Sequence, residues 1–238
     1  AGKPTDWITM KIDPEIFEEL GVRDPEETKR EMAITKKTRQ VNKELKTDPD
    51  NLDLKIELAT LMIDGANYEE AVNQLKAIRN KAPKNARVHK LLGTAYVLFN
   101  HEEEGMLELN RACELDPTDA ENYFNLGGLY LLRDMYQNAM EAFEKVIELD
   151  PSDTTAYANL AAAYDMLKLY DKTIIALRKV LMFNPEDKEL RAALSNAYFN
   201  AERYEEAIDA AQVVVEIDDK DPQAYCNLGS CYSVCNMI

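Results

Sequence analysis

The 238-residue sequence has few of the residues on which catalytic and metal sites depend. It contains two histidines, four cysteines and one tryptophan. It has no Gly-rich phosphate-binding loop, no pair of histidines at metal-binding spacing and no Cys-x-x-Cys motif. We therefore expect a protein that is not an enzyme and that uses no cofactor and no metal ion.

Positive charge is also scarce, since 28 basic residues stand against 44 acidic ones and the net charge is −16. Such a surface repels phosphate backbones and anionic lipids, so we expect no nucleic-acid partner. A protein partner of basic or mixed charge is easier to accommodate, although the acidity is equally explained as a means of solubility.

Long apolar runs are missing too, and the sequence has neither a segment of about 18 apolar residues nor a signal peptide. We expect no membrane insertion and a cytoplasmic location. The chain does not begin with Met, so an upstream targeting or anchoring segment remains open.

The sequence repeats with a period of 34 residues, and residues 120–153 show the repeated pattern most clearly. One column of leucines at this spacing is Leu58, Leu92, Leu126, Leu160, Leu194 and Leu228. A fixed period of this length indicates stacked supersecondary units that share one continuous core.

Each unit has the pattern of two amphipathic helices. In residues 120–153, Tyr123, Leu126 and Tyr130 lie on one face of a first helix, and Ala139 and Phe143 lie on one face of a second. Each new copy begins at a residue that caps helices well. These residues are Asn51, Asn85, Asp119, Asp153, Asp187 and Asp221.

The unit resembles the tetratricopeptide (TPR) repeat, whose pattern is an aromatic residue, Leu-Gly, Tyr, Ala, Phe, Ala and Pro. The matching residues here are Tyr123, Leu126, Gly127, Tyr130, Ala139, Phe143, Val146 and Pro151. The resemblance implies an all-α fold, an α-solenoid in which tandem helix-turn-helix repeats form a right-handed superhelix. It also implies that the first helices line the concave surface.

The period divides the chain into three parts. Residues 1–51 form an N-terminal segment with a short helix, which presents Ile16, Phe17 and Leu20, and a charged capping helix. Residues 52–221 form five TPR repeats, which are 52–85, 86–119, 120–153, 154–187 and 188–221. Residues 222–238 form a lone first helix of a sixth repeat. The first aromatic position departs from the family pattern at Lys55, His89 and Arg191.

The resemblance implies a non-catalytic scaffold or adaptor that binds a peptide or helix of a partner protein in the concave groove. The predicted groove residues are Arg87, Lys90, Phe124, Asn125, Leu131, Ala158, Asn159, Asp165, Asn196, Phe199 and Asn227. Asn125, Asn159 and Asn227 share one column, similar to the asparagine ladder in the TPR domain of O-linked N-acetylglucosamine transferase. An amide side chain can bond both groups of a peptide unit, but Asn is also common at this position of the repeat.

The clamp with which some TPR proteins hold acidic chaperone C-termini is incomplete here. Lys90 and Asn125 fit it, but Thr94 stands where the clamp needs Asn. Thr155 and Asn159 stand where it needs Lys and Arg. We therefore do not expect a co-receptor for chaperone tails.

Two alternatives remain open. The first is a structural subunit that assembles with itself through its ends, with Tyr232, Val234 and Ile238 of the apolar last helix as the contact. The second is the recognition module of a longer enzyme.

Cys231 aligns with Leu and Ala in the other copies, so we expect a small buried side chain there rather than a zinc ligand.

Overall fold

A computed structural model describes residues 25–235 of the chain. The predicted short helix with Ile16, Phe17 and Leu20 lies outside the described residues, as does Ile238. The described part consists of twelve α-helices joined by turns and contains no strand, in agreement with the all-α prediction. It divides into two compact units, of which the first ends at Lys81 and the second begins at Ala82.

The first unit holds three helices: α1 (Pro25–Thr47), α2 (Leu52–Asp64) and α3 (Tyr68–Lys81). The second unit holds nine: α4 (Ala86–Leu98), α5 (Glu102–Leu115), α6 (Ala120–Leu132), α7 (Tyr136–Leu149), α8 (Thr154–Met166), α9 (Tyr170–Leu181), α10 (Lys188–Asn200), α11 (Tyr204–Ile217) and α12 (Pro222–Cys235).

The predicted capping column is confirmed. The side-chain oxygen of Asn51 accepts a hydrogen bond from the Leu54 N–H at 3.0 Å, and that of Asp153 accepts one from the Ala156 N–H at 2.9 Å. The other four members of the column cap their helices in the same way. Each bond satisfies a backbone donor that the first turn of a helix leaves unpaired.

Tight turns join the helices of each pair. Their middle residue has a φ between 55° and 60° at Ala66, Asn100, Asp134, Lys168 and Glu202. The next N–H then bonds a carbonyl five residues back, as from Asn67 to Met62 at 2.8 Å. This left-handed closure ends the first helix and turns the chain back against it.

The core of the second unit lies between the helices of each pair and between successive pairs. Ala139 and Phe143 are fully buried, and Leu126 is nearly so. The α4–α5 pair packs closely at two glycines, since a Cβ on Gly93 would lie only 3.0 Å from the Gly105 carbonyl oxygen. In the first unit, Val41 of α1 is buried with Leu58 and Leu61 of α2.

Candidate peptide-binding surface

The first helices of neighbouring pairs contact one another directly, so that α4, α6 and α8 form one surface. On α6, Leu132 follows Asn125 by two helical turns and therefore lies on the same face. On α8, Met166 stands in the same relation to Asn159. The predicted asparagine column and the ends of these helices thus belong to one strip of surface.

Two amides of this strip are available for a ligand. Asn125 and Asn159 are half-buried, and neither side chain has a hydrogen-bond partner within residues 25–235. Asn196 is exposed and is likewise unpaired in the described part of the chain. Asn227 differs, because its Oδ1 accepts a hydrogen bond from Gln223 Nε2 at 2.8 Å.

A column of exposed apolar side chains lies two helical turns from the amides and was not predicted from the sequence. Leu98, Leu132 and Met166 close their helices 34 residues apart and are 45%, 70% and 53% exposed. Their common spacing was the signal that could have revealed them. Large apolar side chains exposed at one position of successive repeats are typical of an interaction surface.

The predicted aromatic residues of the groove are partly engaged in the core. The Phe124 ring packs edge-on against Phe143 with centroids 5.7 Å apart. Phe199 packs in the same way against Tyr204 at 5.5 Å. Leu131 and Ala158 are half-buried as well, so these four side chains present only part of their surface to a ligand.

Lys90 is held by carboxylates of its own chain. Its Nζ lies 3.0 Å from Asp119 Oδ2 and 2.5 Å from Glu121 Oε2, which ties α4 to the start of α6. Burial lowers the pKa of Lys90, but the bonds to Glu121 and Asp119 outweigh it, and the net direction is upward. A ligand anion would have to compete with both partners. Arg87 and Asp165 have no ion pair within residues 25–235.

His89, which stands at the first aromatic position of its repeat, forms a buried pair with Glu108. Its Nδ1 lies 2.6 Å from Glu108 Oε2, its Nε2 lies 3.1 Å from the Pro83 carbonyl oxygen, and both side chains are 7% exposed. The carboxylate and the carbonyl thus lie within hydrogen-bond distance of the two ring nitrogens, and the pair joins α4 to α5.

The proposed oligomer contact on α12 is partly tied to its neighbour. The Tyr232 hydroxyl accepts a hydrogen bond from Gln212 of α11 at 2.6 Å, although Tyr232 remains 41% exposed. At the equivalent position of α8, the Tyr164 hydroxyl donates a hydrogen bond to Glu144 at 2.7 Å, and burial together with this carboxylate raises the pKa of Tyr164. Val234 is half-buried.

The cysteines are structural where they are buried. Burial raises the pKa of the Cys113 thiol to about 11, so it stays protonated and unreactive at neutral pH. Cys231 is 3% exposed, which confirms the predicted small buried side chain. Among residues 25–235, no His, Cys, Asp and Glu side chains cluster as metal ligands would. None of the described helices has the length and apolarity to cross a membrane.

Sequence models of the tetratricopeptide repeat match residues 42–95, 120–153 and 170–226, which is more than half of the chain. The chain belongs to the tetratricopeptide repeat family. A search of curated proteins gave no match to this TPR protein.

Solved structures share its all-α TPR solenoid fold. YrrB is 16% identical with a TM-score of 0.70, over 78% of this chain and 95% of that one, and is described as a TPR protein with an unusual peptide-binding site. MamA from Desulfovibrio magneticus is 20% identical with a TM-score of 0.64, over 73% of this chain and 98% of that one. MamA of AMB-1 is 25% identical with a TM-score of 0.64, over 71% and 90%.

Proposed function

We propose that this TPR protein is a non-catalytic scaffold that binds a segment of a partner protein on the surface formed by α4, α6 and α8. The observation that carries the proposal is the pair of unpaired, half-buried amides at Asn125 and Asn159. A partly buried amide without a partner is costly unless a ligand or water bonds to it. The similarity to YrrB, a TPR protein with a peptide-binding site, supports the same reading.

The spacing of the two amides suits an extended segment. Packed helices lie about 8–10 Å apart, and an extended chain advances about 3.3 Å per residue. Asn125 and Asn159 would therefore meet backbone groups about three residues apart. Each amide offers an acceptor and donors, so it can bond the C=O and the N–H of a peptide unit whatever its side chain.

The apolar column supplies the selective part of the contact. Leu98, Leu132 and Met166 are exposed at the ends of α4, α6 and α8, two helical turns from the amide column, and apolar side chains of the bound segment would cover them. Burying a side chain of this size contributes about 1.5–3 kcal/mol. The unpaired carboxylate of Asp165 adds a preference for a basic residue in the segment.

The proposal is tested by selecting peptides from a random displayed library on the full chain and measuring their dissociation constants by fluorescence anisotropy. Replacing Asn125 and Asn159 together with Ala should weaken binding by tenfold or more and leave helicity unchanged. The control replaces two exposed asparagines of second helices, Asn73 and Asn138, with Ala. Equal affinity of the two double variants would contradict the proposal.

A second proposal concerns self-association through α12. Tyr225 and Tyr232 of this helix are 51% and 41% exposed, which leaves two large rings open to contact with a second copy. Light scattering across a concentration series should show a dimer that Tyr225→Ser with Tyr232→Ser abolishes. A monomer at every concentration would refute it.

A further inference from the structure

The first unit contains a cavity of about 310 Å³ that the binding surface of the second unit does not include. It lies between the end of α1 and the helices α2 and α3. Its apolar walls are Leu45, Pro49, Leu52, Ala77 and Ile78. The polar groups that line it are Asp50, Lys55, Gln74 and Lys81.

The cavity lies beside a position at which several other copies carry an aromatic residue. Lys55 belongs to the column that continues with His89, Tyr123, Tyr157, Arg191 and Tyr225. His89 and Arg191 reach the carbonyl oxygens of Pro83 and Pro185 from this position. Lys55 instead directs its ammonium group to Asp50 Oδ1 at 3.6 Å. Lys55 therefore stands where three other copies carry a tyrosine.

The shape and the walls of the cavity suit a ring. A cavity of about 150 Å³ lined by aliphatic side chains binds benzene, so about 310 Å³ holds a phenyl or phenol ring with a short substituent. The aliphatic stem of Lys55 extends the apolar wall.

The charge at the mouth of the cavity favours an anion. The ammonium groups of Lys55 and Lys81 lie 3.6 Å and 3.8 Å from the same oxygen of Asp50. Two positive charges thus share one carboxylate, and Asp50 is 91% exposed, which makes both pairs weak. Within residues 25–235, Asp50 is the carboxylate paired with both lysines, which leaves one net positive charge beside the apolar slot in a chain whose net charge is −16.

We propose that this cavity binds an aromatic ring with a carboxylate attached to it or next to it. The ring fills the slot against Leu52 and Ile78, and the carboxylate bonds the ammonium groups of Lys55 and Lys81. Two sources share this chemistry: a small aromatic acid, and an aromatic residue followed by an acidic one in a peptide. The inference is independent of the proposed peptide-binding surface.

The test follows the methyl NMR signals of Leu45, Leu52 and Ile78 in the full chain during titration. One arm uses 3-(4-hydroxyphenyl)propionate and its neutral amide. The other uses the capped peptide acetyl-Ser-Tyr-Asp-Ser-amide and its counterpart with Ala in place of Tyr. Saturable shifts with the acid or with the Tyr peptide support the proposal, and the arm that binds identifies the source.

Two variants sharpen the result. Lys55→Tyr places in the slot the tyrosine that Tyr123 supplies in its own repeat, and should weaken binding at least tenfold. Lys84→Tyr makes the same charge change at an exposed position and should leave the affinity unchanged. Lys81→Gln should reduce the preference for the acid over its amide about threefold or more while the ring still binds. The proposal is overturned if neither probe shifts these signals, or if Lys55→Tyr binds as the unaltered chain does.

Discussion

The two adjacent glycines of α6 should differ in how replacement by alanine changes the stability of the protein. Gly127 faces α7, and a Cβ built on it would lie 2.9 Å from the nearest atom of the Phe143 ring. Phe143 is fully buried and packs edge-on against Phe124, so its ring has no room to move aside. A Cβ on Gly128 would meet no atom within 4 Å.

The magnitudes follow from two opposing contributions. Alanine favours a helix interior over glycine by about 0.8–1 kcal/mol, and both variants gain this amount. Overpacking against a buried ring costs about 1–3 kcal/mol, and only Gly127→Ala incurs it. Gly128→Ala should therefore stabilise the protein by about 1 kcal/mol. The Gly127→Ala variant should be about 1–3 kcal/mol less stable than the Gly128→Ala variant.

Urea denaturation followed by circular dichroism measures the difference, with the two variants compared at equal slope of the transition. The variants differ by one position and are identical in composition, so each is the control for the other. If Gly127→Ala is as stable as Gly128→Ala, the close contact of α6 with Phe143 is wrong.

Two further substitutions test the packing of the helix pairs. Ala139 is fully buried, so Ala139→Leu should destabilise the protein by about 1–3 kcal/mol. Gln137→Leu on the exposed side of the same helix should change the stability by less than about 0.5 kcal/mol. Equal urea midpoints for the two variants would contradict the burial of Ala139. His89→Ala leaves Glu108 buried without its imidazole and should cost about 3 kcal/mol in the same assay, while His101→Ala at an exposed position should cost under about 0.5 kcal/mol.

The fold was largely predictable from the sequence, because the 34-residue period repeats both the apolar faces and the caps. Asn51 and Asp153 cap their helices as expected, and Ala139 is buried as its column requires. These features depend on residues within one turn or one helix pair. Local spacing determines them, and sequence shows local spacing directly.

The candidate site was less predictable, because it depends on which side chains reach across helices. The period placed Lys90 in the groove, but its two carboxylate partners lie 29 and 31 residues away and emerge only when α4 and α6 are packed. The cavity beside Lys55 is equally hidden. The sequence shows that Lys55 replaces an aromatic residue in the column, but only the packed helices show the cavity beside it.

The central claim is that Asn125 and Asn159 bond the backbone of a bound segment, and one measurement tests it most directly. A peptide selected on the full chain is remade with an ester in place of a single amide, which removes one N–H donor and leaves every side chain in place. The affinity of each ester is then compared between the unaltered chain and the Asn159→Ala variant. We predict that one ester weakens binding to the unaltered chain severalfold and has little further effect on the variant, because the same bond is already lost. Equal losses on both proteins, at every ester position, would contradict the account.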